Sequence, residues 1–154
     1  YPSLEVSLAS HAVKRGTNEL ALMDKLEEKC AIVWYYPGMD PAILSAWKGY
    51  RGIVLVGTGL GHVGTHMVGS IREMSKAGTT FVMVSQCLHG RVCDRVYDTG
   101  RDLLSAGVIE GEDMLPEVAL VKLMWVLGNS SSQEEVRRMM GSNLAGEIKW
   151  RSSE

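Results

Sequence analysis

Gly52-Ile53-Val54-Leu55-Val56-Gly57-Thr58-Gly59-Leu60-Gly61-His62-Val63-Gly64 decides the fold, because an almost unbroken apolar run passes directly into a glycine-rich loop. A strand buried on both faces of a parallel sheet has this composition, since neither face alternates with solvent. Ala31-Ile32-Val33-Trp34-Tyr35-Tyr36 and Thr80-Phe81-Val82-Met83-Val84-Ser85 share it. Between the first two runs, Pro37-Gly38-Met39-Asp40-Pro41 predicts a turn, with Asp40 capping and Pro41 opening a helix that continues from Ala42 to Trp47. Between the second and third, Val63, Met67, Ile71 and Met74 recur at helical spacing, Arg72, Glu73 and Lys76 face elsewhere, and Gly78 ends the helix. Two successive βαβ units predict an α/β domain, a parallel sheet flanked by helices in three layers.

Downstream, a loop bearing Cys and His, Gln86 to Arg95, precedes a predicted helix from Asp98 to Ala106 that Gly107 stops. The next helix starts at Pro116, with Glu112 or Asp113 as its cap. Its stretch Val118 to Leu127 is so uniformly apolar that it must be buried on most sides. Ser132-Gln133-Glu134-Glu135 resembles a capping box before a short helix through Met140. Upstream, Leu4-Glu5-Val6-Ser7-Leu8 alternates like an edge strand, and Asn18 to Lys29 is charged with a helical cast.

The 154 residues are enough for one core rather than two. Sixteen basic and eighteen acidic residues are scattered along the chain, so no field of one sign recruits nucleic acid or an anionic membrane. Three cysteines, at positions 30, 87 and 93, make no disulfide framework and point to reduced thiols in the cytoplasm. The longest apolar runs fall short of the roughly 20 residues that a membrane span requires. The opening Tyr1-Pro2-Ser3-Leu4-Glu5-Val6 reads like the middle of a longer chain.

Chemistry concentrates in Gly57 to Gly64, where a strand hands over to a helix and open α/β sheets place their ligands. Gly59, Gly61 and Gly64 match the dinucleotide fingerprint by letter. A dinucleotide site also needs an acidic residue about 20 positions on to hold the ribose, where Ser85-Gln86 stand instead. Recognition of a carboxylate-bearing small molecule and a plain turn needing positive φ both remain. His62 is either a donor or acid-base group for such a ligand, or a solvated histidine at a helix start. Cys87, His89 and Cys93 offer three soft ligands, with His62 or Asp94 as a fourth, but match no standard zinc spacing, so no metal is assigned. Thr58, Thr65, Ser85 and Tyr97 carry hydroxyls that nothing in the sequence pairs with an activating base.

Gly57-Thr58-Gly59-Leu60-Gly61-His62-Val63, Val84-Ser85-Gln86-Cys87-Leu88-His89-Gly90-Arg91-Val92, Gly107-Val108-Ile109 and Asp113 to Met124, in that order and spacing, resemble the C-terminal small domain of the asparaginase/glutaminase amidohydrolases. Glu27-Glu28-Lys29 ahead of Tyr36-Pro37-Gly38-Met39-Asp40-Pro41, together with Leu60-Gly61-His62, resemble more narrowly the archaeal glutamyl-tRNA(Gln) amidotransferase D subunits. The resemblance implies a flavodoxin-like α/β domain over residues 31–154 and an interdomain or N-terminal extension over 1–30. The family's reacting threonines lie in an N-terminal domain, in Thr-Gly-Gly-Thr and Thr-Asp-Thr motifs absent from this chain, so no catalytic residue is expected here. Residue by residue, the loop position that bacterial asparaginases fill with Asn falls on His62, and Gly59 and Gly61 match its flanking glycines. Thr58, Gly59, Gly61 and His62 are therefore the expected substrate-binding residues, and an acidic residue of the family lands near Asp94 to Tyr97.

The resemblance further implies a parent subunit that hydrolyses glutamine to supply ammonia. Its expected partners are the missing N-terminal domain, a second copy in a homodimer, a companion transamidating subunit, and tRNA through that complex. No cofactor is expected in this domain, with ATP and Mg²⁺ only at the companion subunit. The alternatives are a stand-alone flavodoxin-like module for a nucleotide or other anion, an L-asparaginase small domain, and a purely structural dimerisation domain.

Overall fold

The computed structural model describes residues 8, 12, 16, 19–93 and 98–149. Four parallel strands, β1 (Cys30–Trp34), β2 (Gly52–Gly57), β3 (Thr80–Ser85) and β4 (Ile109–Glu110), lie side by side in sequence order. Right-handed crossovers between strands laid down in one direction must all cross the same face. That face carries the 3₁₀ helix Pro41–Trp47, helix α1 (Val68–Lys76) and helix α2 (Asp98–Ser105), whose Leu44, Ile71 and Leu103 pack with Val33, Ile53, Leu55, Phe81 and Met83. Helices α3 (Pro116–Asn129) and α4 (Gln133–Met140) cover the other face, where Ala119, Leu123, Val126, Val136 and Met140 pack on Val54, Val56, Val82 and Val84. The expected three-layer sheet is therefore present, with β2 and β3 buried at every position. Each large apolar side chain so buried contributes about 1.5–3 kcal/mol.

Several local expectations change. β1 stops at Trp34 rather than Tyr36, because the chain turns away at Pro37-Gly38, where Gly38 has φ +86°. The Ala42–Trp47 helix is 3₁₀, opened by Pro41 and capped by Asp40, whose carboxylate accepts from the Ala42 N–H at 2.8 Å. Neither Glu112 nor Asp113 caps α3: Leu115 takes that position without a side-chain bond. Glu112 instead turns into the left-handed region at φ 58°. The capping box of α4 holds in a shifted form. Ser132 Oγ accepts from the Glu135 N–H, while the Glu135 carboxylate reaches back to the Ser131 N–H rather than to that of Ser132.

Residues 19–29 form no helix. They run as an extended arm beside α3, because their backbone pairs with that helix: Glu27 N–H donates to Met124 O at 2.9 Å, and the Trp125 indole and Asn129 amide donate to Met23 O and Lys25 O. Gly128 permits the approach, since a β-carbon there would stand 2.5 Å from Lys25 O. The alternating segment Leu4 to Leu8 falls, but for Leu8, outside the described residues.

The chain beyond α4 is strapped to α3 by a buried ion pair. Lys122, whose side chain is 6% exposed, donates to Met140 O, Ser142 O and the Glu147 carboxylate, which uses all three hydrogens of its ammonium. Among the described residues no helix is long and apolar enough to cross a membrane.

Candidate functional site

The carboxyl ends of the parallel strands converge on the glycine loop, the position at which open α/β sheets bind ligands. Strand order never reverses, so the site lacks the crevice that a reversal opens. Instead the loop folds back on itself. Thr58 N–H donates to His62 O, and the Gly61 and His62 N–H groups donate to Thr58 O, all within 2.9–3.0 Å. Thr58 Oγ1 adds a bond to His62 O at 3.2 Å. Gly59 at φ +54° and Gly61 at φ +96° supply the left-handed conformations that this closed turn requires. Three backbone donors that an anion would need are thus engaged inside the turn, which weighs against a phosphate cradle.

Neighbouring elements clamp the turn from below. Ser85 Oγ, at the end of β3, donates to Gly59 O at 2.5 Å and accepts from the Cys87 N–H. Gln86 donates through its backbone to Gly57 O and through its side chain to Tyr35 O and Val56 O, tying together the ends of β1, β2 and β3. Cys93 N–H donates to Leu60 O at 2.9 Å, and the Val92 side chain packs on Gly61. What emerges at the tip is Gly59 and Leu60, both exposed, with His62 half-buried on the returning arm.

Thr58, Gly59, Gly61 and His62 therefore lie together in one turn. Thr65 opens a single 3₁₀ turn, Thr65–Met67, with its hydroxyl 3.5 Å from that of Thr99. The hydroxyls of Thr58 and Ser85 donate to backbone carbonyls and hold shape. Cys87 and His89 are exposed and Cys93 is half-buried. Among the described residues no group of three or more His, Cys, Asp or Glu could hold a metal ion. Asp94 to Tyr97 lie outside the described residues. At the opposite end of the sheet, burial and the nearby Glu27 carboxylate push the Cys30 thiol up to about 11, so it stays protonated at neutral pH.

The sequence does not show what Gln86, Arg91 and Glu112 bond to: Gln86 joins the strand ends beneath the turn, and Arg91 and Glu112 pair behind it. Arg91 joins Glu112 in an ion pair and has Asp113 Oδ1 at 3.7 Å. Lys122 did leave a signal: it is the lone charge in the apolar stretch Val118 to Leu127, which calls for a buried partner.

A family model described as the glutaminase/asparaginase C-terminal domain matches residues 29–140. The chain belongs to this family. Its relatives include the D subunit of glutamyl-tRNA(Gln) amidotransferase from Archaeoglobus fulgidus, 56% identical over 150 residues, and that from Pyrococcus horikoshii, 55% identical over 137. These alignments cover 96% and 88% of the chain but only 35% and 31% of the two relatives. Among solved structures, the thermostable L-asparaginase from Thermococcus kodakarensis superposes with a TM-score of 0.82 at 34% identity, over 94% of this chain and 45% of that one. L-asparaginase I from Vibrio cholerae gives 0.79 at 29% identity, over 88% and 42%. This asparaginase-type domain is thus nearer in sequence to those D subunits than to either asparaginase.

Proposed function

We propose that the chain is the C-terminal domain of a glutamyl-tRNA(Gln) amidotransferase D-type subunit, and that its Thr58–His62 turn contributes to glutamine binding while the reacting threonines lie elsewhere in the parent. The observation that carries this is the 56% identity to a D subunit across nearly the whole chain, against 34% to the thermostable asparaginase. In the parent, threonine attack on the side-chain amide would form an acyl-enzyme and release ammonia, and water would then free glutamate. A companion transamidating subunit in the cytoplasm would use that ammonia, with ATP and Mg²⁺ there, to convert Glu-tRNA(Gln) to Gln-tRNA(Gln). This domain's part is support of the fold and of a homodimer, and recognition of the substrate by the turn that Thr58, Gly59 and Gly61 shape around His62. The superposition on L-asparaginases supports a second substrate, asparagine, at the same turn.

His62 decides the matter. In a full-length D subunit carrying this domain, His62→Ala is expected to raise the KM for L-glutamine about tenfold with kcat little changed, the signature of lost uniform binding. An unchanged KM for both L-glutamine and L-asparagine leaves the turn without a binding role.

A further inference from the structure

Arg91 stands away from the turn and is half-buried behind it, with three anchors on two segments: the Glu112 carboxylate, Asp113 Oδ1 and Lys149 O. The residues that follow it grip the turn directly. Val92 N–H donates to Glu112 O at 2.9 Å, and the Val92 side chain packs against Gly61 so closely that a β-carbon on that glycine would meet it at 2.9 Å. Cys93 N–H then donates to Leu60 O at the tip. Glu112 receives this traffic in a left-handed conformation that L side chains adopt only at a cost. In that conformation its carbonyl accepts from Val92 and its carboxylate pairs with Arg91. A guanidinium suits the task, because its planar fork engages several oxygens at fixed angles where an ammonium acts as a point charge.

We propose that Arg91 is a positioning residue for the recognition turn: by fixing segment 91–93 against Glu112, Asp113 and Lys149, it sets where Leu60, Gly61 and His62 stand relative to the substrate. Through Lys149 it also couples the turn to the C-terminal strap, whose Lys149 N–H is held by Asp113 at 3.0 Å. This rests on the glutamine-binding role assigned to the turn, and it adds a residue that touches no substrate.

Two readouts test it. In the 154-residue chain, backbone amide exchange is followed for Gly61 and His62, with Val54 and Val82 as internal references in the buried strands. Arg91→Met is expected to speed exchange at Gly61 and His62 about tenfold while the references keep their rates, and Arg91→Lys is expected to restore only part of the protection. Should Arg91→Met fail to fold, Glu112→Gln removes one of the three anchors from the other side and must give a smaller loss of protection at the same two amides. Equal rates at Gly61 and His62 in wild type and both variants overturn the proposal. In the full-length parent, Arg91→Met is expected to raise the KM for glutamine at least threefold with kcat within twofold, in the direction of His62→Ala. If His62→Ala raises KM and Arg91→Met leaves it at the wild-type value, Arg91 has no positioning role. If His62→Ala itself changes nothing, the glutamine-binding role of the turn fails, and amide exchange alone decides whether Arg91 holds it.

Discussion

Lys122→Ala is expected to destabilise the protein by about 3–5 kcal/mol, because it removes one partner of a buried ion pair and leaves the other charged and dry. Glu147 is 11% exposed and would keep bonds from the Leu144 and Ala145 N–H groups but lose its counter-charge, and Met140 O and Ser142 O would lose their donor. Burial by itself would raise the Glu147 carboxyl. The hydrogen bond from Lys122 and those from the backbone N–H groups overcome it and hold the group down at about 2, against an ordinary 4.5. A depressed carboxylate contributes stability in full above its unfolded value and loses it as pH falls through the folded one, so the wild type should weaken from about pH 4.5 down to about 2. The two partners pull in opposite directions here. Burial lowers the Lys122 ammonium from its ordinary value, and its bond to Glu147 offsets this only in part, so the net worth of the pair is less than the Glu147 shift alone implies. Urea denaturation of wild type, Lys122→Ala and the double variant Lys122→Met/Glu147→Gln from pH 2 to 7 tests this. The double variant should recover part of the loss, and the acid-dependent limb should flatten in both. A Lys122→Ala midpoint equal to the wild type's at pH 7 would contradict the role given to the pair.

Gly57→Ala is the second large effect, expected at about 1–3 kcal/mol together with loss of the turn. A β-carbon at Gly57 would stand 2.7 Å from Gly61 C, 2.8 Å from His62 N and 2.9 Å from His62 O. All three are backbone atoms, so no side chain can rotate away, and β2 is held between β1 and β3. The turn must therefore open, and the bonds between Thr58 and His62 break with it. Gly59 makes the contrast. A β-carbon there meets nothing within 4 Å, and its φ of +54° is one that Asn tolerates, so Gly59→Asn should keep the turn closed. Amide exchange at His62 separates the two: fast in Gly57→Ala and near wild type in Gly59→Asn. Unchanged protection in Gly57→Ala would show that the close packing of β2 against the turn does not hold it.

β2 and β3 were legible because both faces are buried, which leaves Ile53 to Val56 and Thr80 to Val84 unbroken runs of apolar or β-branched residues. β4 was not, since two residues cannot display a period. The charged segment ahead of β1 suggested a helix, yet its backbone bonds are satisfied by α3 and by the gap that Gly128 leaves, which no local pattern reveals. α3 starts at Pro116 as its sequence predicts, but its cap differs for a related reason: Glu112 and Asp113 have the chemistry of caps, and Arg91 and the Lys149 N–H draw their carboxylates elsewhere. At the candidate site, glycines at a strand–helix junction announced a turn. Its closure between Thr58 and His62 is local, but its clamping by Ser85, Gln86 and Cys93 depends on contacts between distant segments, which the motif does not display.

Ammonia release from L-glutamine is the most direct test of the functional assignment. It is measured on the 154-residue chain alone and on the chain mixed with the separately produced N-terminal remainder of the Archaeoglobus fulgidus D subunit. The expected result is no ammonia from either piece and release on mixing, diminished when the chain carries His62→Ala. Ammonia from the chain alone, or none from the mixture, would contradict the assignment of this domain as the non-catalytic, substrate-recognising part of a glutamine amidohydrolase.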